Sequence, residues 1–216
     1  MRAAYFDAVQ TALRAAGLCE PVLVIDKARL DANIKALKNM LPRGMAYRIV
    51  AKSLPSVPLL AHIAKKARTD RLMSFNAVMV GQLLEAMPAC DQLLGKPVPA
   101  AGLAGFLKGL TAAQKKALGQ VQWLVDTPQR LGDYAALAKA HRLNLRINLE
   151  IDVGLHRGGM APGADLEAAL TMLANDKHLC MSGMMGYEPH LSLIPRLGGW
   201  RRRAQKGAAA LFGDAI

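Results

Sequence analysis

A short apolar run, a break rich in Gly, Pro, Asn or Asp, and an amphipathic stretch recur about six times along the chain, roughly every 25 to 35 residues. That alternation leaves few folds open. A helix between successive strands returns the chain to the same end of the sheet, so the strands run parallel under helical cover. Strands are predicted over 21–26, 48–53, 72–76, 121–125, 143–151 and 179–186, and helices over 3–16, 27–40, 57–67, 77–87, 111–118, 128–141, 164–175 and 198–211. Asp26 and Thr111 are placed to cap the helices that follow them, and Pro128 can open its helix at the first position. Residues 96–109 are predicted to be Gly-rich and poor in helix. A doubly wound sheet and a (β/α) barrel both satisfy the pattern, but no GxGxxG follows the first strand, which favours the barrel. The expected fold class is therefore α/β, a (β/α) TIM-type barrel.

The chain has 216 residues, enough for one large domain with a sizeable core. Hydrophobic residues make up 52% and aromatic ones 5%, so that core is aliphatic, as in helix-covered sheets. The net charge of +12 favours anionic or phosphorylated small ligands. The basic clusters, Lys65, Lys66, Arg68 and Arg71 and then Arg201, Arg202 and Arg203, lack interleaved aromatics and read as solvated helix faces, so nucleic acid is not an expected partner. No apolar run reaches the roughly 18 residues needed to span a membrane, and residues 1–17 are amphipathic rather than signal-like. Cys19, Cys90 and Cys180 form no CxxC pair, which points away from a disulfide framework or a zinc site and towards a cytoplasmic setting.

Chemistry concentrates at the predicted strand ends, where a barrel builds its site from the loops. Lys52 closes the β-branched run 48–53 just before the breakers Pro55 and Pro58, and an amine so placed can be desolvated into a nucleophile for a carbonyl carbon. Asn76, Asp126, Arg157, Tyr187 and His190 fall on the same rim. Glu150 and Asp152 are acidic groups in or beside an apolar strand, which need partners if buried, and Arg157 is the expected one. Asp152 would either fix the loop or hold Arg157 towards a ligand oxygen, and the glycines 154, 158 and 159 permit close backbone approach.

These stretches together resemble the fold-type III pyridoxal-phosphate enzymes, the alanine-racemase-like barrels, and within them the D-threonine aldolase and D-serine dehydratase branch. The resemblance is carried by PVLVID at 21–26 with Leu30, Asn33 and Ile34, AKS at 51–53, LLGKP at 93–97, WLVD at 123–126, EIDVGLHRGG at 150–159 and GYE at 186–188. It implies that Lys52 carries pyridoxal 5'-phosphate in Schiff-base linkage, with Arg157 beside the phenolic oxygen, Tyr187 in the ring pocket and acting in catalysis, and Asn76 as a further cofactor contact. His62 and His190 are candidate bases with structural alternatives. The implied activity is that of a lyase cleaving β-hydroxy D-amino acids, with D-serine dehydratase, an amino-acid racemase or a non-catalytic cofactor-binding barrel as alternatives. A divalent ion, Mn or Zn, and a homodimer belong to the same implication. Against that family the chain is expected to be one barrel domain cut short after about six of eight βα units, without the C-terminal β domain that supplies the metal ligands.

Overall fold

A computed structural model describes residues 2–193 together with Arg203 and Lys206. The chain divides into two compact units, Met1–Pro42 and Arg43–Ile216. The first holds helices α1 (Arg2–Ala15) and α2 (Lys27–Met40). Gly17, at φ 68°, ends α1 in the left-handed turn that glycine adopts without strain. Asp26 caps α2 as predicted, its carboxylate accepting from the Arg29 amide at 3.0 Å. The Arg29 guanidinium in turn lies 3.8 Å from the centre of the Tyr5 ring.

The predicted first strand is not formed. Residues 21–26 belong to no ladder, and Leu23 is 99% exposed. An apolar β-branched run supplies propensity, but a strand also needs a partner for its amides and carbonyls, and none of the paired strands takes this segment.

The second unit is a parallel six-stranded sheet wound with helices: β1 (Ile49–Val50), α3 (Val57–Ala67), β2 (Arg71–Ser74), α4 (Ala77–Ala86), β3 (Asp91–Leu94), α5 (Ala100–Gly109), α6 (Ala112–Ala117), β4 (Val121–Val125), α7 (Pro128–His141), β5 (Leu145–Ile151), α8 (Ala164–Asn175), β6 (Leu179–Gly186) and the short α9 (His190–Leu193). The strand order is β1 to β6 without a switch. Each strand lies beside its sequence neighbour, which is the winding of a (β/α) barrel; a doubly wound sheet reverses direction part-way. Among the described residues β1 and β6 do not pair, so the barrel-type sheet is open there. The predicted helix over 198–211 lies outside the described residues apart from helical positions Arg203 and Lys206.

Three further expectations are corrected. Only Ile49 and Val50 of the 48–53 run are strand, and Ala51–Ser53 closes into one turn of 3-10 helix. Asp91–Leu94 is a strand that the alternation had not counted. The Gly-rich stretch after it is the helix α5, whose Leu103 and Leu107, four residues apart, are buried. Packing of that apolar face outweighs the roughly 1 kcal/mol that each interior glycine takes from a helix.

The core lies between sheet and helices. Trp123 of β4 is fully buried between Phe106 of α5 and Tyr134 of α7, with ring centres 5.8 and 6.5 Å apart. The Tyr134 hydroxyl donates to the Val98 carbonyl at 2.6 Å, and burial pushes its pKa up to about 12.

At the amino ends of the strands, Asp91 gathers three neighbours. Arg48 approaches at 2.6 Å, Arg146 at 2.8 Å, and the Gln122 carboxamide nitrogen donates to both carboxylate oxygens at 2.8 and 2.9 Å. Burial pushes the Asp91 carboxyl up, but the hydrogen bonds from Gln122, Arg48 and Arg146 prevail and hold it below the usual carboxylate range. A depressed folded-state pKa gives stability that is present above the unfolded Asp value and lost as pH falls through the folded one. Asp91→Ala is therefore expected to lower unfolding free energy by about 2–4 kcal/mol at neutral pH and to flatten the decline of stability below about pH 4. Urea titrations across pH check both; an acid limb unchanged in the variant would contradict the assignment.

Candidate functional site

The first amine of the rim stands where the strand hands over to a turn. Lys52 sits in the 3-10 turn directly after β1, exposed, with its ammonium 4.0 Å from the centre of the Phe75 ring. The desolvation expected for it is not found, because two strand residues are too few to draw position 52 into the sheet. Phe75 in turn rests on Gly95, where an added Cβ would stand 2.7 Å from the ring and 2.9 Å from the Met73 sulfur. Asn76 follows Phe75 and caps α4, its side-chain oxygen accepting from the Met79 amide at 2.8 Å. Its carboxamide nitrogen is left to meet a ligand.

The second cluster is built by the loop after β5. The Asp152 carboxylate accepts from the Gly154 and His156 amides, each at 3.0 Å, and meets His156 Nδ1 at 2.7 Å. Burial pushes this carboxyl up, but the hydrogen bonds from the His156 ring and the two amides prevail and hold it low. The expected partner was Arg157; the actual one is His156. His156 adopts φ 55°, and its ring lies back against Asp152. The loop then returns to the strand: Met160 N donates to Glu150 O at 2.8 Å, and Asp152 N to Met160 O at 3.0 Å. Gly159, at φ 94°, makes this possible, since an added Cβ would lie 2.7 Å from the Ile151 carbonyl carbon.

The Arg157 guanidinium stacks instead on Tyr187 just beyond β6, 4.4 Å from the ring centre. Tyr187 is 47% exposed. Beneath the loop two buried polar atoms lack partners, Glu150 Oε2 and His190 Nδ1. His190 Nε2 stands 4.0 Å from the Cβ position of Gly154, so this ring packs over the start of the loop. Asp126, at the end of β4, is paired with Arg130 of α7 at 2.7 Å. His62 lies in the second turn of α3 and not at a strand end.

The structure thus brings Arg157 and Tyr187 into contact and places Lys52 beside Phe75, the neighbour of Asn76. Sequence reasoning missed the Phe75 platform and the half-buried Lys96, whose charge acts on Glu150. The LLGKP segment at 93–97 was the available signal for Lys96, since a cation two residues past a strand end falls on this rim. Among the described residues no group of three or more His, Cys, Asp or Glu side chains is placed to hold a metal ion, so they do not fit the divalent ion that the resemblance implies.

A sequential parallel βα sheet with an amine, two cations and a phenol at the carboxyl ends of its strands is a (β/α) barrel-type enzyme scaffold. The family described as alanine racemase, N-terminal domain, matches residues 25–197, and the chain belongs to it, within the fold-type III pyridoxal-phosphate proteins. Solved structures agree on the fold. The D-threonine aldolase from Filomicrobium marinum superposes with TM-score 0.73 at 17% identity, over 92% of this chain and 52% of that one. An alanine-racemase-like protein from Idiomarina loihiensis gives 0.72 at 19%, over 91% and 50%. The alanine racemase of Clostridium difficile 630 gives 0.66 at 14%, over 88% and 48%. The chain therefore spans about half the length of these proteins. No curated protein matches it.

The return of the loop to β5 is testable at Gly159. Gly159→Ala is expected to lower stability by about 2–4 kcal/mol through left-handed strain and backbone overlap. Gly158→Ala should lose less, since its Cβ would find no atom nearer than 3.5 Å. Equal losses in chemical denaturation would contradict the described loop.

Proposed function

We propose that this protein binds pyridoxal 5'-phosphate through Lys52 and acts on small amino acids, as a lyase that cleaves β-hydroxy D-amino acids. The observation that carries the reading is the Arg157–Tyr187 stack on the same rim as the exposed Lys52 amine. These groups fit the cofactor. An exposed primary amine can reach an aldehyde carbon, an arginine can face an oxygen of the ring, and an exposed phenol can pack beside it. Asn76 would add a donor from its free carboxamide nitrogen.

When bound, the cofactor supplies an electron sink for the pair left at Cα as a bond there breaks. The chain's own residues do the rest. Lys52, once displaced by the substrate amine, stands ready to move a proton, and Arg157 holds negative charge at the rim. In D-threonine the β-hydroxyl loses its proton, the Cα–Cβ bond breaks, an aldehyde leaves, and a proton returned to Cα yields glycine. Tyr187 and His190 are the nearby groups able to exchange those protons. The fold shared with the Filomicrobium marinum D-threonine aldolase supports this choice.

A racemase is the second reading. It is favoured by the presence of both an amine, Lys52, and a phenol, Tyr187, on one rim, because inversion at Cα needs one group to remove the proton and another to return it. The unpaired Cys19, Cys90 and Cys180 suit a reducing, cytoplasmic setting for either activity.

Purified protein mixed with pyridoxal phosphate should develop a visible absorption band that Lys52→Ala lacks. D-threonine should then yield glycine and aldehyde, assayed with and without Mn²⁺, at a rate reduced at least about a hundredfold in Lys52→Ala. No band in the parent protein would overturn the cofactor assignment. Exchange of the Cα proton of alanine without cleavage of D-threonine would select the racemase.

A further inference from the structure

Phe75 follows β2 directly, and the contacts around it fix where its ring lies. The Gly95 amide donates to the Ser74 carbonyl at 2.8 Å, which carries the pairing of β3 with β2 one residue past Leu94. Gly95 then stands against the ring: a Cβ there would lie 2.7 Å from Cε1 and Cζ and 2.9 Å from the Met73 sulfur. The next residue, Asn76, caps α4. The ring itself is half-buried and not part of the core.

Over this ring stands the Lys52 ammonium, 4.0 Å from the ring centre. Among the described residues no carboxylate pairs with that charge, so the ring is its partner. The element ends that face the turn bring it no acid: β1 is Ile49 and Val50, and the first turns of α3 and α4 hold no acidic residue. Asp91 lies at the opposite end of β3, tied to Arg48 and Arg146. The titratable groups at the near ends are bases, His62 in the second turn of α3 and Lys96 after Gly95, while Arg71 opens β2 at its far end. An apolar side chain of another shape could fill the space beside Gly95, but only an aromatic face attracts a cation.

We propose that Phe75 is a positioning residue for Lys52: its ring parks the amine in the charged form and so restrains its attack on carbonyl carbons. The ring face attracts the ammonium and has no comparable hold on the neutral amine, which is the form with a free lone pair. Loss of the proton therefore frees the nitrogen to leave the ring. At an exposed site the attraction favours the charged, parked amine about two- to fivefold, and the share of nucleophilic amine falls by the same factor. That the carbonyl met by the freed amine is the cofactor's aldehyde rests on the function proposed above; the parking itself does not.

Two measurements on the whole protein read the position and the restraint separately. Reductive carbon-13 methylation keeps lysines charged, and the methyl signal missing from Lys52→Arg belongs to Lys52. In the parent protein that signal should be displaced upfield of the other lysines by the ring current of Phe75, and Phe75→Leu should abolish the displacement. Competitive labelling with acetic anhydride at neutral pH, read site by site by mass spectrometry, should acylate Lys52 about two- to fivefold faster in Phe75→Leu than in the parent. Pentafluorophenylalanine at position 75 keeps the shape of the ring but reverses the charge on its face. It should raise the labelling by the same factor, which keeps the test open if Phe75→Leu does not fold. A parent signal that is not displaced, a displacement that survives in Phe75→Leu, or labelling of Lys52 that is unchanged or slower with the fluorinated ring would each overturn the proposal. If displacement and labelling behave as expected while pyridoxal phosphate gives no visible band, the cofactor reading fails and the role of Phe75 stands.

Discussion

The carboxylate of Asp91 is the tie on which the sheet depends. It stands at the first residue of β3 and receives Arg48 from just before β1, Gln122 from β4 and Arg146 from β5. Arg48 also donates to the Leu72 carbonyl of β2 at 2.8 Å, so five consecutive strands are referenced to one group. In a parallel sheet a slip of one residue turns every side chain to the opposite face. Fixing the amino ends therefore fixes which residues reach the carboxyl ends, and the rim from Lys52 to Tyr187 inherits its alignment from a cluster at the far end of the strands.

The two ends of the sheet use polar groups differently. At the amino ends charges are matched, and Asp91 has more donors than it has oxygens. At the carboxyl ends helix caps consume some polar atoms, as at Asn76 and at Thr127, whose hydroxyl accepts from the Arg130 amide. What remains is unmatched: Glu150 Oε2, His190 Nδ1, and an arginine resting on an aromatic face. Stability is concentrated at one end and unspent hydrogen-bonding capacity at the other, which is the division expected of a fold that binds ligands on its loops.

Much of this arrangement is legible in local chemistry. The bounds of α2, α3, α7 and α8 and of strands β4 and β6 agree with the sequence reading because caps, prolines and apolar periods are signals within a few residues. The failures share a non-local cause. Residues 21–26 have strand composition but no ladder partner, while Asp91–Leu94 opens on a charge that distant Arg48 and Arg146 neutralise. The glycines of α5 read as loop because their penalty is local and the compensating burial of Leu103 and Leu107 is not. At the site, Arg157 and Tyr187 meet as their shared rim suggested. The Asp152–His156 pair depends on one left-handed residue that nothing in the residue types announces.

Gly95 carries a consequence for how the nucleophile region can evolve. The Phe75 ring occupies the volume that any side chain at 95 would need, and the Lys52 ammonium hovers over that same ring. Floor, platform and amine form a three-storey stack whose height is set by a missing methyl group. Drift at position 95 would lift the storeys above it together, so the reach of Lys52 is adjustable from a residue that never meets a ligand.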